Sequence, residues 1–502
     1  MPETLPDIRL LLSVLVPLAG ALLVMAAGRR PNLREACSFV AALGLFGLTI
    51  SMLPAVLAGK TLSFTVLTLL PGLSVSLRAD ALSMIFALPA SFLWVLTVFY
   101  SAGYMRGLAE HAQTRFSACF ALTLFGAAGV AFSDNLLTLY LFYEIVSVCT
   151  YPLVAHHQDA EGYEGGRKYL VYLTGAAKAL LLPAIVGVYV LVGNVDFAHG
   201  VRNGILGNAG QGAVTALYVA FLLGFAKNAV MPFHNWLPSA MVAPTPVSAL
   251  LHAVAVVKVG VFSTVRVMLS VFGVDCMDAL NLGLPTAAFV SITILGASVI
   301  ALSKDDLKAR LAYSTVSQLS YVILGVSMLT PDAVAGGLFH IANHAFAKIT
   351  LFFCAGAIYV AAHKKKISKM GGLGRAMPFT FGAFALASLS MIGVPPVGGF
   401  VSKWYMLLGA LDARAFGVLA VLLASTVLNV AYFAPVVYGG FFGKPPSGGE
   451  DGGHGGTQAS GGLAEAHPAM LIPLCITAII SVAIGFYPDI FFHLADVLRP
   501  HP

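Results

Sequence analysis

Fourteen apolar windows, each long enough to cross a bilayer, constrain this chain more than any other feature. A hydrocarbon core of about 30 Å needs about 20 apolar residues of helix. Such windows fall at 8–27, 35–57, 81–104, 117–133, 135–155, 169–192 and 214–236. They continue at 245–271, 282–302, 308–329, 333–361, 379–411, 415–442 and 468–487. Only 10% of the 502 residues are charged and 58% are hydrophobic, whereas an ordinary soluble domain is about 25% charged. The expected fold class is an all-α polytopic membrane protein.

A net charge of +6 does not mark a nucleic-acid surface here, because the basic residues form short clusters between apolar runs, which is how topology is encoded. With both termini on the non-cytoplasmic side, sixteen basic residues fall in cytoplasmic loops: Arg29, Arg30, Arg34, Arg106, Arg115, Arg167, Lys168, Lys304, Lys308, Arg310, Lys364, Lys365, Lys366, Lys369, Arg375 and Lys444. Seven fall on the other side: Arg9, Lys60, Arg78, Arg202, Arg266, Arg414 and Arg499. That bias predicts a multi-pass protein of the cytoplasmic (inner) membrane. A cleaved signal peptide is not expected, since Glu3 and Asp7 precede the first apolar run. The six cysteines are isolated, without the C-x-x-C spacing of a zinc or iron–sulfur site. Residues 60–80 have the β-branched content of a short hairpin. The Gly-rich stretch 443–466 is expected to be a flexible cytoplasmic loop in which His454 is incidental.

Five lysines remain, and they fall inside spans: Lys178, Lys227, Lys258, Lys348 and Lys403. Among the acidic residues only Glu144 does the same. A lysine at the bilayer centre costs about 2.5–3.5 kcal/mol on an insertion scale, so each of these is a functional-site hypothesis. Tyr140, Glu144, Ser147 and Tyr151 recur at helical spacing and predict a polar interior seam. A static ion pair between two helices is the alternative reading of Glu144.

The seventh span carries Lys227 just ahead of Pro232, and the twelfth carries Pro395 and Pro396 just ahead of Lys403. Proline removes a backbone donor and clashes with the preceding turn, so both helices should break. Interrupted helices at corresponding places in two halves point to a midplane transport site. The intervals suit a duplication in which spans 4–8 and 9–13 are two five-helix repeats, necessarily inverted because five is odd. That scheme pairs Lys227 with Lys403 and Lys178 with Lys348. It divides the chain into 1–110 (helices 1–3), 117–271 (first repeat), 282–442 (second repeat), 443–466 (loop) and 467–502 (helix 14).

His252 and Lys258 are six residues apart, roughly 9 Å along a helix and about 120° around it. His340, His344 and Lys348 stand at i, i+4 and i+8 and form one stripe. An H-x-x-x-H pair is also zinc-site geometry, but the metalloprotease form needs a glutamate between the histidines, and here Ile341, Ala342 and Asn343 intervene. No metal is expected there. A structural polar stripe and a proton relay remain, the second favoured because histidine titrates near neutrality.

Three segments carry a resemblance. KNAVMPFHNWLPSAMVAPTPVSALLH at 227–252, HIANHAFAK at 340–348 and GLGRAMPFTFGAFALASLSMIGVPPVGGFVSKWYM at 372–406 resemble the antiporter-like subunits shared by respiratory complex I, Mrp-type cation/proton antiporters and membrane-bound hydrogenases. The resemblance covers about residues 80–445 and is nearest to the Mrp D-type subunit. It implies fourteen helices, two inverted five-helix repeats and a midplane axis. It further implies that Glu144 pairs with Lys227, that Lys258 and His252 are carriers, that His340, His344 and Lys348 are a relay, and that Lys403 is the terminal lysine. Lys178 has no counterpart in the family pattern. A lysine in span 12 departs from one complex I subunit, and the lack of a long lateral helix after span 14 argues against the largest subunit type.

The expected function is therefore proton translocation along a Lys/His/Glu axis in a multisubunit energy-converting membrane complex. The chain is not expected to be catalytic alone, but to be an ion-translocating subunit of an NADH:quinone oxidoreductase-like or hydrogenase-like complex. No cofactor is expected. The partners are other antiporter-like and small membrane subunits, with a redox or hydrogenase arm as a further expectation, and no nucleic acid. Alternatives are a Na+(K+)/H+ antiporter subunit, a subunit of an inorganic-carbon-uptake complex, and an intramembrane metalloenzyme.

Overall fold

The computed structural model describes residues 3–207, 210–444 and 463–498. His454, Arg499 and most of the Gly-rich loop lie outside the described residues. The N-terminal part comprises α1 (Arg9–Ala26), α2 (Pro31–Leu57), α3 (Ala81–Gly107), α4 (Gln113–Ala131) and α5 (Leu136–Val154). Next come α6 (Ala160–Val192), α7 (Gln211–Gly224), α8 (Val247–Phe272), α9 (Gly283–Ser303), α10 (Leu307–Ser327) and α11 (Pro331–Ala362). The chain continues with α12 (Pro378–Ile392), α13 (Gly398–Asp412), α14 (Phe416–Phe442), α15 (Pro468–Phe486) and a short amphipathic α16 (Asp489–Val497). Eleven helices among the described residues are long and apolar enough to cross a membrane.

The helix starts follow the chemistry of the loops. Asp80, Asn135, Asp159 and Asp306 each accept a backbone N–H in the first turn of α3, α5, α6 and α10, a cap that contributes about 0.5–2 kcal/mol. Thus several acidic residues between spans serve as helix caps. Residues 61–79 form the expected hairpin, β2 (Thr61–Leu70) and β3 (Leu73–Ala79), with β1 (Thr4–Pro6) parallel to β2.

Helices α8 and α11 form the centre. The window of α8 is buried throughout, with His252, Lys258 and Arg266 inside it. Helix α11 packs on α3, α8, α10, α12, α13 and α15. Arg78 and Arg266 do not lie in loops as the basic-residue pattern suggests. Both are buried around Asp80, whose carboxylate takes two bonds from Arg266, with Nη2 at 2.8 Å. The two long windows at 214–236 and 379–411 are also each interrupted. Helix α7 stops at Gly224, and residues 226–242 form only short turns. Between α12 and α13 the chain is non-helical through the Pro395–Pro396 pair.

Candidate functional site

The first break builds the setting of Lys227. The residue sits in a single 3-10 turn, Ala226–Asn228, directly after α7. Its Nζ donates to Tyr143 O at 2.8 Å and to Ser147 Oγ at 2.6 Å, and it lies 3.2 Å from the centre of the Tyr143 ring. The turn rests on α8 at Gly260, where a Cβ would come within 2.2 Å of Asn228 N. Only glycine permits that approach.

Two residues before Gly260, Lys258 begins a run of contacts through the centre. Its Nζ donates to Ala253 O at 2.7 Å and lies 3.2 Å from His344 Nδ1 on α11. Ala253 belongs to the wide π turn Val247–Ala255 that opens α8. One turn along α11 from His344, Lys348 donates to Ser314 Oγ at 2.8 Å. Ser314 is 3.1 Å from the Tyr432 hydroxyl, and that hydroxyl donates to Asn429 Oδ1. Asn429 Nδ2 donates to Met391 O at 3.4 Å, and Met391 O also accepts from Lys403 Nζ at 3.0 Å.

Lys403 thus caps the end of α12, with a second bond to Ile392 O at 2.8 Å. A cation there answers the free carbonyls and the negative end of the helix dipole. Helix α13 crosses this end at Gly399, whose Cβ would fall 1.6 Å from Ser390 O. His340 Nδ1 lies 2.9 Å from Ser402 Oγ, beside Lys403. A polar line consequently joins Lys258 to Lys403 across α8, α11, α10, α14 and α12, with His340 as a side branch. Several polar atoms along it lack a protein partner: Nε2 of His340 and of His344, and Oε1 of Gln318. His252 lies off the line, between the rings of Tyr169 and Trp236, with both nitrogens unpartnered.

The membrane region of this chain matches a known family model over residues 133–429, described as NADH:quinone oxidoreductase/Mrp antiporter, TM. The chain belongs to this family. The matched stretch contains Lys227, Lys258, Ser314, His344, Lys348, Met391, Lys403 and Asn429 of the polar line, and Tyr432 follows it by three residues. The probable K(+)/H(+) antiporter A/B subunit of Rhizobium meliloti (strain 1021) is 33% identical over 86% of this chain, which spans 43% of that relative. NADH-quinone oxidoreductase subunit N of Desulforudis audaxviator (strain MP104C) is 32% identical over 84% of this chain and 83% of its own length. In fold, the chain resembles one component in the structure of the Mrp complex from Dietzia sp. DQ12-45-1b, with a TM-score of 0.85, 22% identity and coverage of 97% and 96%. A chain of the membrane-bound sulfane sulfur reductase, an archaeal respiratory membrane complex, gives a TM-score of 0.86, 23% identity and coverage of 98% of both chains.

Two residues stand apart from the line. Glu144 is half-buried, at the border between the buried Ser147 and the exposed Leu141 and Val148. Its Oε1 has no hydrogen-bond partner, while the ammonium of Lys227 is held by the main chain and Ser147. Lys178, expected inside a span, is exposed at the π turn Ala177–Leu181 of α6. Lys178 follows Val171 by seven residues, two helical turns, and lies on the same exposed flank.

The folded geometry adds residues that the charge pattern alone does not mark. Ser314, Tyr432 and Asn429 are neutral, and nothing in the charge pattern singles them out. Lys308, counted among the loop lysines, turns inward and donates to Ala243 O at 2.6 Å at the edge of a cavity of about 350 Å3.

Proposed function

We propose that this subunit moves protons through the membrane part of a multisubunit complex, along the line from Lys227 through Lys258, His344, Lys348 and Lys403. The observation that carries this reading is the Lys258–His344 contact of 3.2 Å between the two central helices. Two groups that each hold or release a proton are in direct contact there in the buried centre, and from Lys348, one turn further along α11, hydrogen bonds run on to Lys403. A structural polar stripe needs no such pairing. Water is the natural bridge at the unpartnered atoms of His252, His340 and Gln318 and between Lys227 and Lys258, since buried polar groups are satisfied by protein or by ordered water.

Fourteen spans in two inverted five-helix repeats fit this reading. The chain is interrupted beside Lys227 and again beside Lys403, and π turns open both α8 and the middle of α6. In the proposed topology both termini lie outside, with Arg78 and Arg266 removed from the outer loop charges by their burial. The cavity at Lys308 is then the cytoplasmic approach to the line, and Glu144 acts on Lys227 at a distance. Opposite charge within about 4–6 Å favours the charged form of a group by about 1–3 pKa units, so movement of Glu144 relative to Lys227 would switch proton affinity.

Glu144→Ala and Lys227→Ala should each abolish coupled proton transport in vesicles while leaving the complex assembled. Retained transport in either variant would sink the switch. A second reading, cation/proton exchange in an Mrp-type complex, is favoured by the similarity to the Rhizobium K(+)/H(+) antiporter protein and by the D-type resemblance. Dependence of proton movement on added Na+ or K+ supports that reading, and independence from both supports a redox-driven complex.

A further inference from the structure

Away from the polar line, two loops bring three histidines and a glutamate together. Glu110 and His111 lie between α3 and α4, and His156 and His157 lie between α5 and α6. Glu110 Oε2 is 3.8 Å from His111 Nδ1, 3.8 Å from His156 Nε2 and 3.7 Å from His157 Nδ1. One carboxylate oxygen therefore faces three imidazole nitrogens at nearly equal distance. A tetrahedral ion with ligands at about 2.0–2.1 Å sets its ligand atoms about 3.4 Å apart; the ligand atoms of Glu110, His111 and His157 all lie within 4.8 Å of one another, and His156 joins them through the Glu110 carboxylate.

We propose that Glu110, His111, His156 and His157 bind a late first-row divalent metal ion of the Zn2+ type and that the ion clips the two loops together. His156 supplies the observation that a chance surface cluster lacks. Its side chain is fully buried, neither ring nitrogen has a hydrogen-bond partner, and Nε2 points at the Glu110 carboxylate. Burying an imidazole with both nitrogens unsatisfied is costly, and a metal satisfies one of them. His111 Nε2 lies 3.0 Å from the His156 carbonyl oxygen. That contact makes Nε2–H the donor and leaves the Nδ1 lone pair turned toward Glu110, the arrangement that orients metal-bound histidines. Arg115 donates to the same carbonyl at 2.8 Å. His111 is half exposed, which gives an ion access from solvent. Three imidazoles with one carboxylate favour Zn2+ and its neighbours over Mg2+ or Ca2+, which take oxygen ligands.

Equilibrium dialysis of the chelator-washed, assembled complex against Zn2+, followed by elemental analysis, tests this. The wild type should hold one Zn2+ per copy of this chain at micromolar free metal. The His111→Ala/His157→Ala double variant, which changes only accessible side chains, should lose that equivalent, and Glu110→Gln should weaken binding at least tenfold. X-ray absorption of the loaded wild type should show imidazole ligands at about 2.0–2.1 Å. No bound Zn2+ in the wild type, or equal binding by the double variant, would overturn the proposal.

Discussion

Lys258 gives the residue-scale account its sharpest test short of removing a charge pair. Lys258→Ala strips both Ala253 O and His344 Nδ1 of their partner, and proton uptake should fall at least tenfold in reconstituted vesicles while the helical circular-dichroism signal is kept. Tyr432→Phe removes the hydroxyl that links Ser314 to Asn429. It should slow uptake severalfold without affecting assembly, and an unchanged rate would mean that water bypasses the Ser314–Tyr432–Asn429 segment. The charged members were legible in the sequence because each is expensive inside a span. Ser314, Tyr432 and Asn429 were not, because neutral polar residues are ordinary in membrane helices and only the folded geometry orders them. The border position of Glu144 has a related cause. Tyr143 and Ser147 turn inward at i and i+4, and Glu144 lies one step around the helix from Tyr143.

At the scale of elements, the breaks do the positioning. Prolines announced them, but the sequence placed the seventh break after Lys227, whereas the helix ends before it and the lysine occupies the broken segment. The reason is Gly260, which lets the turn lie directly on α8. Gly260→Ala should cost about 1–3 kcal/mol through overpacking and reduce transport together with thermal stability. The buried Asp80 pair anchors the other end of α8. Burial opposes its ionisation, but Arg266 and then Arg78 hold the Asp80 carboxyl well below the usual carboxylate range. A carboxyl depressed in this way contributes stability that is complete above the unfolded value of about 3.9 and is lost as pH falls through the native value. Melting temperature should accordingly show no loss from this pair between pH 7 and 5 and a fall only in stronger acid. Asp80→Asn should cost about 3–5 kcal/mol at neutral pH by stranding the buried Arg266 guanidinium, while Arg78 keeps Asp134, and a shift below 1 °C in its melting temperature would contradict that.

For the whole molecule, Glu144 and Lys178 mark a flank that lipid tolerates poorly. Val148, beside Glu144, is 61% exposed in the chain, so the α5–α6 face is expected to be covered by another membrane subunit. A cysteine at Val148 should crosslink to a neighbouring subunit in the native complex, and labelling by lipid-phase probes alone would count against it. The sequence made the all-helical, many-span class legible because apolar length is decisive for a membrane protein. It could not show this flank, since one carboxylate in an apolar helix looks the same whether it faces a core or a partner. The central claim is that Lys258 takes up and releases a proton, and Lys258→Arg tests it most directly. Arginine keeps the positive charge but does not deprotonate in proteins. Proton uptake by vesicles holding the intact complex with Lys258→Arg should fall to background, and uptake at the wild-type rate would contradict the account.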